Sequence, residues 1–117
     1  MTLSSPSYSE WTKIRRVASE TFYVDIHRIK KQNGYIYFWD LVNHSKPSLF
    51  GIQSIKTYVQ GDCKLFRIKY LKHHYHNKPM GKGTPQYKSN DSDINWKYPP
   101  PNSTNGALLE KICTQLR

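Results

Sequence analysis

Hydrophobic and polar positions alternate in twos along most of the chain and change to a helical period only near its end. Thr21 to Ile29 sets Phe22, Val24 and Ile26 between Tyr23, Asp25 and His27, the period expected of a half-buried strand. Tyr35 to Val42 (YIYFWDLV) is dense in β-formers. Between the two runs stands Asn33-Gly34, the pair that best tolerates the positive φ angles of a two-residue type I′ turn. The spacing predicts a hairpin with Gln32 facing Tyr35, Arg28 facing Trp39, His27 facing Asp40 and Ile26 facing Leu41. One face then carries Phe22, Val24, Ile26, Trp39 and Leu41 as core. The other carries Tyr23, Asp25, His27, Ile29, Phe38 and Asp40, and a slip of one residue would exchange the two.

A loop with Pro47 and Gly51 leads to a second β block. Ile52 to Gln60 is one strand, Gly61-Asp62 a break, and Cys63 to Tyr75 (CKLFRIKYLKHHY) the next. In the latter Phe66, Ile68 and Tyr70 alternate with Arg67, Lys69 and Leu71. Residues 77–93 turn to Lys, Gly, Pro, Ser, Asn and Asp, broken at Pro79, Gly81 and Gly83, and read as a mobile basic loop. Trp96-Lys97-Tyr98 returns briefly to the sheet before Pro99-Pro100-Pro101 stops it. Leu108, Leu109, Ile112, Cys113 and Leu116 then fall on one helical face, with Ser103, Thr104 and Asn105 as candidate N-caps. The expected fold is α+β: a small antiparallel β-sheet with a C-terminal helix packed on it. Residues 1–10 are expected to be a disordered N-terminal segment and 11–117 a single domain, in keeping with 117 residues in all.

Charge changes the picture most. Eighteen Lys and Arg against eight Asp and Glu leave a formal charge of +10. No acidic residue lies between Lys64 and Lys88. The candidate binding patch is Lys64, Arg67, Lys69, Lys72, His74, His76, Lys78 and Lys82, a positive strand feeding a positive loop whose field attracts polyanions. That charge fits anionic glycans, lipid headgroups or acidic protein segments equally well as partners. Tyr70, Tyr75 and Tyr87 are interleaved with these cations, so a second reading is a cytoplasmic single-stranded nucleic-acid module with Tyr70 and Tyr75 stacking on bases. No RNP-type aromatic motif, KH loop or zinc finger accompanies it.

Catalytic constellations are missing, and the expectation is a non-enzyme without cofactor or metal. His74 and His76 are spaced to share a strand face, yet the only nearby acid or thiol is Asp62 or Cys63, too sparse for a ligand set. His27 opposite Asp40 reads as structural, because no serine sits in a strained elbow such as GxSxG. Arg28 opposite Trp39 would be a cation–π pair. Gly81-Lys82-Gly83-Thr84 lacks the length and the following helix of a phosphate loop. The opening Met1-Thr2-Leu3-Ser4-Ser5-Pro6-Ser7 is too short and polar for a signal peptide. Nor does any apolar run reach the ~18 residues that span a bilayer. Either the protein stays inside the cell, or this chain is a mature fragment. Cys63 and Cys113 fit two pictures: a staple between helix and sheet worth roughly 4 kcal/mol, or two separate buried thiols.

Several segments together resemble the bacterial surface-adhesin protein E family. They are Trp11, the Phe22-Tyr23-Val24-Asp25 strand, Tyr35 to Leu41 with Trp39, and Ser54-Ile55-Lys56 to Asp62-Cys63. Arg67 and Trp96 to Pro101 follow, before a helix that ends in Cys113. Order and spacing carry the likeness, over about residues 11 to 113. The resemblance implies a periplasmic, cell-surface or secreted domain, a Cys63–Cys113 disulfide, and a homodimer as one form of assembly. It also implies adhesion to macromolecules, since the family takes its name from a member that sticks to host extracellular-matrix proteins. A disulfide in turn fits an oxidising compartment.

Overall fold

The computed structural model describes residues 10–90 and 92–116; the expected disordered segment 1–10 lies almost wholly outside them. Seven strands form one antiparallel sheet: β1 (Thr12–Val17), β2 (Glu20–Val24), β3 (Lys30–Gln32), β4 (Tyr35–His44), β5 (Ser54–Asp62), β6 (Arg67–His76) and β7 (Tyr87–Ser89). One helix, α1 (Thr104–Gln115), follows. The sheet order is β1-β2-β4-β5-β6-β7, and β3 pairs with the first half of β4 while β2 pairs with the second. The α+β architecture expected from the residue pattern is the one observed.

The Asn33-Gly34 turn forms with φ of 55° and 84°, and Gln32 pairs with Tyr35. Beyond Lys30 the expected register fails. Ile26–Arg28 leaves the sheet as a 3₁₀ turn, and pairing resumes with Val24, not His27, opposite Asp40. The cause lies in the packing of two isoleucines. Ile26 and Ile29 both pack against the core, which strict alternation forbids for residues three apart, whereas three residues per turn sets them on one side. An odd displacement exchanges faces. Phe38 therefore lies in the core, and Trp39 and Leu41 point to the opposite side. His27 is exposed and approaches Glu10 (3.5 Å), while Arg28 approaches Asp25 (3.8 Å) rather than Trp39.

The core joins Val24, Ile36, Phe38, Val59 and Ile68 of the sheet to Leu108, Leu109, Ile112 and Cys113 of α1. Ser103 is the N-cap: its Oγ accepts from the Gly106 N–H (3.0 Å) and donates to the Pro100 carbonyl (2.6 Å). A Cβ on Gly106 would collide with that same carbonyl. Gly106→Ala is therefore expected to cost about 1–3 kcal/mol by forcing the helix start outward; an unchanged urea midpoint would contradict this. Cys63 and Cys113 are joined, Sγ to Sγ at 2.07 Å, across a separation of 50 residues.

Strand β1 was not anticipated. Its apolar residues Ile14 and Val17 are three apart, and a register shift between Lys13 and Arg15 breaks the alternation. The 77–93 segment holds more structure than its composition suggests. Pro79–Gly81 forms a 3₁₀ turn clasped by Ser54, whose Oγ donates to the Lys78 carbonyl (2.6 Å) and accepts from Gly81 N–H (2.8 Å). Met80 N–H donates to Asn43 Oδ1 (2.7 Å), and β7 pairs with β6. The Trp96–Tyr98 stretch touches the sheet through an Ile68–Lys97 bridge.

Candidate functional site

The sheet face turned away from α1 is built from alternate residues of three central strands. Tyr37, Trp39 and Leu41 of β4 stand opposite Gln60, Tyr58 and Lys56 of β5, which in turn stand opposite Lys69, Lys72 and His74 of β6. Lys69 and Lys72 are three apart and would ordinarily face opposite ways. A register shift at Tyr58/Val59 pairs Val59 with Tyr70 and Tyr58 with Lys72, so Leu71 is the extra residue of a bulge and both lysines emerge on one side. Among the described residues, no helix lies on this face; the Pro79–Gly81 turn covers only its Asn43–Ser54 end.

Two tryptophans organise the charge. Lys56 and Lys72 hold their ammoniums 5.9 and 5.4 Å from the Trp39 ring centre. Arg67 and Lys69 lie 4.1 and 4.8 Å from that of Trp96. Tyr58 packs on Trp39 at 4.9 Å and is also faced by Lys72 at 5.1 Å; Tyr35 packs on Trp96 at 5.4 Å. Each ring thus holds a pair of cations near its negative face. The positive field shows in His74, 5.0 Å from Trp39. Burial and the neighbouring Lys56, Lys88, Lys72 and His76 push its pKa down to about 4, so it is neutral at physiological pH. Burial, with Lys88 beside it, also lowers the Lys56 ammonium. At the corner Asp62 accepts from Arg67 Nε at 2.8 Å and from the Lys64 and Leu65 amides at 3.1 and 3.2 Å. These bonds hold its carboxyl below the usual range despite the opposing effect of burial.

Of the residues singled out in the sequence, Arg67, Lys69, Lys72 and His74 come together here. Lys64 lies in the exposed β5–β6 turn, and Lys78 and Lys82 flank the 3₁₀ turn as exposed residues. His76 is fully buried, its Nδ1 3.1 Å from the Lys82 carbonyl, and burial lowers its pKa. It is a structural residue rather than a surface cation. Tyr70 and Tyr75 line the opposite, helix-side face with His73, so they do not share the plane of the lysines. Sequence reasoning overlooked Lys56, Trp39 and Trp96 as members, because their convergence depends on cross-strand pairing. Among the described residues no group of three His, Cys, Asp or Glu is placed to hold a metal ion. Nor is any described helix long and apolar enough to cross a membrane.

Comparison with known proteins bears on the whole chain. Its fold is similar to that of Haemophilus influenzae protein E in one crystal form, with a TM-score of 0.69, 18% identity, and 98% and 97% of the two chains covered. A second structure of Haemophilus influenzae protein E gives 0.71 at 16% identity, covering 98% and 93%. Protein E from non-typeable Haemophilus influenzae gives 0.63 at 18%, covering 97% and 83%. No curated protein sequence matches at a significant level. The model of one family, surface-adhesin protein E, matches residues 11–114. The chain belongs to the surface-adhesin protein E family.

Proposed function

We propose that this is a non-enzymatic envelope or secreted adhesin domain that grips an anionic macromolecule of the extracellular matrix through the Trp39–Trp96 face. The observation that carries the reading is the pairing of two cations on each tryptophan, Lys56 and Lys72 on Trp39, Arg67 and Lys69 on Trp96. Cations already held in place lose less side-chain freedom when a polyanion arrives. The Cys63–Cys113 bond supports a location outside the reducing interior, and Tyr70 and Tyr75, the stacking pair of the nucleic-acid reading, lie on the opposite side of the sheet from the lysines.

Heparin serves as the probe. With about 1 kcal/mol per basic residue at an anionic surface, Lys56→Ala with Lys72→Ala is expected to weaken binding roughly thirtyfold at low salt. Trp39→Ala, which changes no charge, is expected to weaken it several-fold by releasing both lysines. Lys46→Ala with Lys111→Ala, on exposed residues elsewhere, is expected to leave affinity within about twofold at moderate salt. Equal losses from the two lysine pairs would reduce the interaction to net charge and sink the assignment of the face.

A further inference from the structure

On the other side of the sheet, beyond the N-terminal end of α1, the helix leaves a cleft of about 320 Å³. Its position is independent of the face argued above. Asp40 faces into it, only 8% exposed. Among the described residues no hydrogen-bond donor reaches its carboxyl. Thr57 and His73 stand next to it in the sheet, but Thr57 Oγ1 and His73 Nδ1 are bonded to each other at 2.8 Å. Tyr70 accepts from the Asn105 amide of α1 at 2.8 Å. The mouth carries Glu20, with its Oε2 3.3 Å from His44 Nδ1. Phe22, Val42, Ile55 and Tyr75 make the remaining wall apolar and aromatic.

The charge balance of this cleft is opposite to that of the molecule. The chain has eighteen Lys and Arg, yet none lines the cleft, whereas two carboxylates do. A small anion is therefore repelled. A cation finds an unpartnered carboxyl at the inner end and aromatic faces beside it, and both favour it. An apolar stem is required to cover the Phe22–Val42–Ile55 wall. The volume suits a ligand of roughly ten heavy atoms, at the small end of the range for such sites. We propose that this cleft binds a primary ammonium carried on an apolar stem, with Asp40 accepting its N–H groups and the aromatic wall covering the stem. Two sources offer that chemistry: a free organic amine, or the lysine side chain of a polypeptide.

The pH dependence follows from what surrounds the carboxyl. Burial raises Asp40 to about 7. Burial lowers the facing His73 imidazole, outweighing the opposing pull of Asp93, so His73 brings no competing charge near neutrality. Tyr70 is pushed up by burial and by Asp40 and stays neutral. Glu20 and His44 at the mouth and Tyr75 on the wall complete the titratable groups of the lining. An ammonium needs the carboxylate form, and its apparent affinity scales with the fraction in that form.

The test is amide chemical-shift titration of the intact protein with 2-phenylethylamine, N-acetyl-lysine methylamide and the neutral 2-phenylethanol. Expected are saturable shifts at Asp40, Thr57 and His73 with one or both amines, and at least tenfold weaker binding of the alcohol. Affinity should fall about tenfold from pH 8 to pH 6, and the preference for amine over alcohol should vanish in Asp40→Asn. Tighter binding of the lysine amide assigns the site to a polypeptide lysine, and tighter binding of phenylethylamine assigns it to a free amine. Absence of shifts with either amine at 10 mM (about the weakest useful affinity, ~3 kcal/mol), equal binding of the alcohol, or an unchanged preference in a folded Asp40→Asn protein would overturn the proposal.

Discussion

Changing Cys63 and Cys113 together to serine will lower the melting temperature by on the order of 15–20 °C. The bond closes a loop spanning a separation of 50 residues, and restoring that freedom to the unfolded chain costs about 4 kcal/mol in the chain-entropy model. For a domain of this size that free energy corresponds to the stated shift in melting temperature. The loss will be uneven. Helix α1 meets the sheet through Leu108, Leu109 and Ile112 besides Cys113, whereas β4 and β5 are paired along nearly their whole length. Amide exchange of residues 104–115 should therefore accelerate more than that of β4 when the bond is absent. Cys63 lies in an exposed turn, so a mild reductant should reach the bond and reproduce the variant's melting temperature. A reduced protein that melts with the oxidised one would contradict the role given to this clamp.

The second large effect belongs to Asp40. Desolvation raises its pKa from 3.8 to about 7 in the folded protein, while in the unfolded chain the carboxyl ionises at its ordinary value. The folded state therefore holds the proton more tightly. Stability from this group is fully present below pH ~4 and is lost progressively as pH rises through ~7. The total is about 4 kcal/mol, at 1.36 kcal/mol per pH unit. Asp40→Asn removes the titration. Thermal unfolding followed from pH 4 to pH 8 should show wild type and variant melting together at the acid end. They should diverge steadily up to pH ~7, with the variant the more stable. Taking the difference between the two proteins cancels the contributions of His73, His74 and the remaining carboxylates. Parallel melting curves across that range would show that the carboxyl is not desolvated.

How much of this was legible in the residues can be judged from particular elements. The hairpin turn, the terminal helix with its cap among Ser103, Thr104 and Asn105, and the antiparallel architecture follow from local chemistry: positive φ at Asn33-Gly34, an apolar stripe, and a cluster of capping side chains of which Ser103 is the one used. What escaped was parity. The Ile26–Arg28 turn and the extra residue Leu71 each invert the alternation. Neither announces itself locally, because each is settled by packing between distant segments. Counting along β6 alone separates Lys69 from Lys72, yet both meet the tryptophans. The same inversion brings Tyr75 to the side of Tyr70 and Asp40. Charge composition drew attention to β6, and only the register shows which of its residues lie together.

The most direct test of the proposed adhesive face is a heparin titration followed by amide and indole proton–nitrogen correlation spectra of the uniformly labelled protein. The expected result is saturable shifts at the Trp39 and Trp96 indoles and at the Lys56, Tyr58, Lys69 and Lys72 amides, with the amides of α1 unmoved. Shifts spread evenly over the exposed lysines, or centred on α1, would contradict it.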